Sequence, residues 1–166
     1  MKHFLLFALI SCTYVTSAQE FEVPLNPRLI TAADYEAQQD TALAAFDWLM
    51  KTPPKVEAEK RQDVHAYLLK WMTGTKAVSI GLDDKILTFI ESSPDLLMIF
   101  MGGWVKYAIE TKDKDNQLEG NKHGLEAVLE YYTKLMLPVY KDKNVDKYVK
   151  MRNEGTLAKF LEKTVR

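Results

Sequence analysis

Glu119, His123 and Glu126 come nearest to a reactive constellation in this chain. At i, i+4 and i+7 they share one face of a helix. Carboxylate, imidazole and carboxylate together suit a divalent transition metal. Three ligands on one helix rarely close a site, and the remaining histidine outside the N-terminal stretch is His65. His65 stands beside Val64, one turn before Leu68 and Leu69, where a helix boundary residue belongs. One reading therefore makes the chain a metal-binding protein or an enzyme using Glu119, His123 and Glu126. The reading preferred here puts these side chains on a solvated helix face, with no metal and no other cofactor.

A second constellation surrounds Gly102-Gly103. The two glycines interrupt an apolar run and are followed by Trp104, Lys106 and Tyr107. Each glycine inside a helix costs about 1 kcal/mol against alanine, so a pair implies a structural return. One possibility is a tight helix crossing. The other is the floor of a binding pocket edged by Trp104, Lys106 and Tyr107. Lys106 precedes Glu110 by one turn and is expected to pair with it.

Other reaction chemistries lack material, and no catalytic residue is assigned. Beyond residue 18 the serines are Ser79, Ser92 and Ser93, none in a G-x-S-x-G turn. Ser93 reads as a helix cap. The stretch from Asp113 to Gln117 starts like a calcium loop, but Leu118 and Gly124 stand where that loop needs glycine and glutamate. No Lys-Ser/Thr pair follows Gly102-Gly103, which removes a phosphate loop. Asp83 and Asp84 are adjacent acids at an expected helix start, where they act as caps.

Helices must position these residues. Thr31 and Asp34 form a capping-box start for a helix running to about Met50, ended by Pro53-Pro54. That proline pair can also cap the next helix, expected over residues 55–73 and carrying Val64, Tyr67, Leu68, Trp71 and Met72 on one face. Residues 76–82 alternate briefly but have no partner strand, and read as a packed loop. A short helix is expected to carry Ile86, Leu87, Phe89 and Ile90. Ser93-Pro94-Asp95 then launches the central helix, residues 94–111. It is apolar on all sides, so it must be buried; its fourteen most apolar positions span about 21 Å, too short for a bilayer core. Asn116 caps a further helix to about Leu137, and two amphipathic helices follow Pro138, separated by Gly155. The expected fold is all-α: a bundle of six or seven helices in antiparallel hairpins, without a sheet.

Composition agrees with one globular domain: 166 residues, 47% hydrophobic, 27% charged, formal net charge −1. Near-neutrality argues against nucleic acid as a partner. Charge is unevenly placed, with eight Lys/Arg against four Asp/Glu in residues 138–166 and thirteen against nineteen in residues 19–137. A solvated basic face complementing an acidic body explains this better than a dedicated acidic partner. Residues 1–18 combine a lysine, an apolar run from Phe4 to Ile10, and small residues Thr16 and Ala18 at a cleavage position. They read as a secretory signal peptide cut before Gln19. Residues 19–30, holding Pro24 and Pro27, form an extended lead-in; residues 31–166 form the single domain. The rival processing route acylates Cys12, the one cysteine, and anchors the chain to lipid. Otherwise the mature chain is cysteine-free, without disulfide or thiol chemistry. The absence of any Asn-x-Ser/Thr sequon fits a bacterial periplasmic or secreted protein.

Trp104-x-x-Tyr107-Ala108, with Gly124, Ala127 and Tyr132 downstream, resembles one tetratricopeptide-like helical hairpin. The runs LLMIFMGGWVKYAIE and GNKHGLEAVLEYYTK, preceded by WMTGT and VSIGL, resemble a group of small exported helical proteins of Bacteroidetes-type bacteria. That resemblance implies a helical fold and export, and brings no activity and no site residues. The expected function is an exported interaction or scaffold module whose partner is another protein or a peptide. A purely structural protein is the remaining alternative.

Overall fold

The computed structural model describes residues 21–137 and 140–165. The expected signal peptide, Cys12, the cleavage position at Gln19 and Pro138 lie outside them. Among the described residues there are seven α-helices and no strand: α1 (Ala32–Ala37), α2 (Gln39–Lys51), α3 (Ala58–Gly74), α4 (Asp95–Thr111), α5 (Gln117–Tyr131), α6 (Lys143–Asn153) and α7 (Leu157–Thr164). No helix among them is long and apolar enough to cross a membrane.

The centre is α4. Leu96, Phe100, Trp104 and Ala108 are buried along one side, and Met98, Met101, Gly102 and Val105 along the other. A helix with no polar face needs neighbours all round, and α2 and α5 both lie along it. Phe46 of α2 covers Gly102, while Pro53 and Pro54 share a cavity with Pro94 and Asp95, so α2 runs antiparallel to α4. Gly120 meets Trp104 and Gly124 meets Phe100, so α5 is antiparallel to α4 as well. The two flanking helices are therefore parallel to one another.

Several local expectations hold. Thr31 and Asp34 form the capping box, with the Thr31 amide donating to Asp34 Oδ2 at 2.8 Å. Asn116 caps α5 by accepting from the Glu119 amide at 3.1 Å. Residues 76–82 are a packed loop, held by Gln117 Nε2 donating to the Ser79 carbonyl at 3.0 Å. In the lead-in, Phe21 and Val23 pack against the core and Leu25 is exposed.

Other local expectations fail for tertiary reasons. The first expected helix breaks at Gln38. There α3 intervenes: Tyr67 Oη donates to the Gln38 carbonyl at 3.3 Å and Trp71 Nε1 to the Tyr35 carbonyl at 2.9 Å. Pro53-Pro54 does not cap α3, which starts at Ala58 after Lys55 and Glu57 enter the left-handed region (φ 68° and 49°). Residues 83–90 form successive turns rather than a helix. Ile86, Leu87 and Phe89 are all buried there, and Tyr148 Oη takes the Ile86 carbonyl at 2.9 Å. The helix expected to reach Leu137 leaves α geometry at Tyr132 and closes with a π turn, Tyr132–Met136, in which the Leu137 amide donates to the Tyr132 carbonyl at 2.8 Å. That turn buries both Tyr132 and Met136.

Ser93 is also reassigned. Its hydroxyl does not cap α4; the Ser93 carbonyl accepts from the Leu96 amide at 3.0 Å, and Ser93 Oγ donates to Asp142 Oδ2 at 2.8 Å.

Candidate functional site

The double glycine serves both as a crossing and as a floor. A Cβ on Gly103 would sit 2.5 Å from the His123 carbonyl oxygen and 2.7 Å from Ala127 Cβ, so α4 and α5 touch backbone to backbone there. A Cβ on Gly102 would meet the Phe46 ring at 2.5 Å. Between α2 and α5, directly above these glycines, lies an open groove of about 960 Å³. Both glycines line that groove, and their missing side chains let Phe46 and α5 close down on α4 beneath it.

One wall comes from α2 and the other from α5, with Arg152 of α6 beside it. Phe46, Asp47, Met50 and Lys51 of α2 form one side, and His123, Glu126, Ala127, Glu130 and Tyr131 of α5 the other. Lys106, Tyr107 and Glu110 of α4 close one end of the floor; Thr133, Lys134 and Leu135 of the π turn edge the opposite end. The wall separation is pinned at that end by Thr52. Its carbonyl accepts from Arg61 Nη2 at 2.7 Å and from Tyr131 Oη at 2.9 Å, tying α2 to α3 and α5. Burial pushes the Tyr131 hydroxyl above its ordinary value, so it remains a donor around neutrality.

The three expected pocket residues separate. Lys106 and Tyr107 line the groove, whereas Trp104 does not. Successive helical positions point about 100° apart. One step past Gly103, Trp104 turns into the core, fully buried against Gly120 and edge-to-face with Phe100 at 5.9 Å. Lys106 Nζ lies 3.7 Å from Asp47 Oδ1 on α2, across the groove, rather than on Glu110. Both side chains are more than half exposed, so the pair contributes little to stability. Tyr107 stacks on His123 (centroids 4.6 Å, planes 19° apart) and donates to Asp113 Oδ2 at 2.8 Å. Burial, and then that hydrogen bond, raise its hydroxyl above the ordinary range.

The metal constellation opens up along the same wall. His123 Nε2 is 3.8 Å from Glu119 Oε2, while Glu126 Oε2 turns to Arg152 Nη1 of α6, also at 3.8 Å. Among the described residues no three of His, Cys, Asp and Glu gather as a metal-holding group. His65 is on α3, away from this wall. Its Nε2 is buried without a hydrogen-bond partner, and burial lowers its pKa below 6.5, with Arg61 adding to the effect and Asp95 opposing it. A folded state that resists protonating His65 loses stability as pH falls from about 6.5 through the lower folded pKa. The urea midpoint should thus drop between about pH 7.5 and about pH 5.5, and His65→Leu should flatten that drop; an equal slope in both proteins would remove His65 as its source.

A polar cluster that no sequence pattern marks lies near the groove's Thr52 end, around the buried Asp142. Asp142, 2% exposed, accepts from Ser92 Oγ at 2.6 Å and Ser93 Oγ at 2.8 Å through Oδ2, and caps α6 through Oδ1. Tyr132 Oη accepts from the Asp142 amide at 2.8 Å and donates to Asp146 Oδ1 at 2.8 Å. Burial alone would raise the Asp142 pKa, but the hydroxyls of Ser92 and Ser93 and the amides of Val145 and Asn144 outweigh it and hold the carboxyl below its ordinary value. The cap at Asp142 was readable from the sequence; the serine partners, about fifty residues earlier, were not. Ser92 is exposed while Ser93 and Asp142 are buried, and together they tie the segment before α4 to the start of α6.

Comparison with protein families, curated proteins and solved structures finds no match.

Proposed function

We propose that this chain is a helical interaction module whose groove between α2 and α5 holds a segment of another protein or peptide. One observation carries the reading: an open groove of about 960 Å³ whose floor is a pair of glycines inside the most deeply buried helix. Binding clefts are concave, with apolar walls and a few placed polar groups. Here Met50, Ala127 and Leu135 supply apolar surface over the buried Phe46 and Tyr131, and Lys51, Lys106, Glu110 and Glu130 the charged rim. The proposal places the protein outside the cytoplasm, in the periplasm or secreted, after removal of residues 1–18. Support for that part is the n-region lysine, apolar run and small-residue cleavage site. Mass spectrometry of the mature N-terminus should find Gln19; an acylated Cys12 would instead anchor the module to lipid.

Photo-crosslinking in the producing cell tests the groove itself. A photoreactive residue at Met50 should trap one specific partner, and the same residue at Leu69, exposed on α3, should not. Ala127→Trp, which fills the groove, should abolish the adduct, as should Lys106→Glu combined with Lys51→Glu. Equal trapping at both positions, or an adduct indifferent to these changes, would refute the proposal.

A further inference from the structure

We infer that the groove's occupant is an amphipathic helix of about four turns, lying antiparallel to α2 and α5, acidic in its first turn and basic in its last. This rests on reading the groove as a binding site. Helical form follows from the walls. The groove residues of α2, α4 and α5 are all inside helices, so their backbone amides and carbonyls are already paired within those helices. No open backbone edge is offered to an extended chain. An extended segment would bring unpaired backbone groups to a surface that cannot answer them, whereas a helix satisfies its own.

Direction follows from the packing. α2 and α5 are parallel, both antiparallel to α4, and the open groove runs between them over the glycine floor. A helix filling it completes an up-down four-helix arrangement when it runs antiparallel to its two neighbours. Its N-terminus then lies at the Thr52 end and its C-terminus at the Glu110 end. The glycine floor and Ala127 allow its apolar stripe to approach closely.

Charge agrees with that direction. Asp47 pairs with Lys106, Glu126 with Arg152, and Glu130 with Lys134 at 2.6 Å. Among the described residues Lys51 and Glu110 have no ion pair. Lys51 adjoins Thr52, at the α4 N-terminal end. Glu110, near the α4 C-terminus, lies roughly 20 Å away along the helix rise. Acids in the first turn of the guest meet Lys51, and bases in its last turn meet Glu110. The same placement favours the guest's own helix dipole.

A random 16-residue peptide library displayed on phage, selected on the purified protein and counter-selected on Ala127→Trp and Met50→Glu, tests this. Enriched peptides should carry apolar residues at i, i+3, i+4 and i+7, acids early and bases late, and should gain helical circular dichroism when bound. Exchanging the end charges of a selected peptide should weaken it about 10-fold, and Lys51→Glu with Glu110→Lys should restore the exchanged peptide. Groove-dependent enrichment of proline-containing or non-periodic peptides would overturn the helical guest and leave the binding module standing. Enrichment that ignores the end charges would overturn the orientation. Failure to enrich any groove-dependent peptide would overturn both readings.

Discussion

Replacing Gly103 by leucine is expected to abolish the native fold. The new Cβ would lie 2.5 Å from the His123 carbonyl oxygen, 2.7 Å from Ala127 Cβ and 3.1 Å from Gly124 Cα. Two of those neighbours are backbone, which can yield only if α4 and α5 move apart. Separating them opens the central packing, where Trp104 sits on Gly120 and Phe100 on Gly124. Overpacking a tight core costs about 1–3 kcal/mol per site and more when backbone must shift, against a total stability of about 5–15 kcal/mol for a domain. Gly103→Ala should lose about 2 kcal/mol even after the roughly 1 kcal/mol that alanine gains in helix propensity. Gly102→Ala differs in kind. Its obstacle is the Phe46 ring, a buried side chain rather than backbone, so the ring must shift but the helices need not part, and the net loss should be smaller than at Gly103. Urea denaturation of the alanine pair measures the contrast. Equal losses at the two positions would contradict the assignment of one glycine to a backbone crossing and the other to a side-chain contact.

Asp142→Ala should destabilise by about 2–4 kcal/mol, summing a lost N-cap with the buried Ser93 hydroxyl it strands. Ser93 is 5% exposed and would keep a donor with no acceptor. The cap on Asn144 and Val145 would go at the same time. Asp142→Asn retains an oxygen for the cap and should cost less, about 1–2 kcal/mol. The pH dependence has a definite sign. Because the folded Asp142 pKa is held below 3.8, its stabilisation is present above that value and is lost as pH falls through the folded pKa. Urea unfolding at about pH 7 and about pH 3 should show the gap between wild type and Asp142→Asn narrowing at the lower pH. A constant gap would mean the charge on Asp142 contributes nothing.

What could be read from the chain beforehand divides along physical lines. The all-α class, the central helix and the capping box at Thr31–Asp34 follow from local periodicity and side-chain chemistry, and the structure has them. The glycine pair marked the right place because an otherwise costly residue type must be explained by a neighbour. Its meaning was undetermined, since two helices meet it from different sides: Phe46 from α2 and the His123 backbone from α5. Trp104 adjoins the glycine pair in sequence but not in space, because a helix turns adjacent residues to different faces. Local spacing offers Lys106 only Glu110 as a partner, whereas its actual partner Asp47 is about sixty residues away on α2. The break at Gln38, the turns at residues 83–90 and the reassignment of Ser93 share one cause. In each, a hydroxyl, indole or carboxylate from a distant element takes a group that local rules had assigned to a helix. The groove could not be read at all, because it exists only between helices.

Hydrogen–deuterium exchange of the protein with and without its crosslink-identified partner tests the groove most directly. Protection confined to the groove faces of α2, α4 and α5, residues 46–51, 102–110 and 123–134, is the expected result. Protection on the basic surface of α6 and α7 instead, or none at the groove, would contradict the proposed binding site.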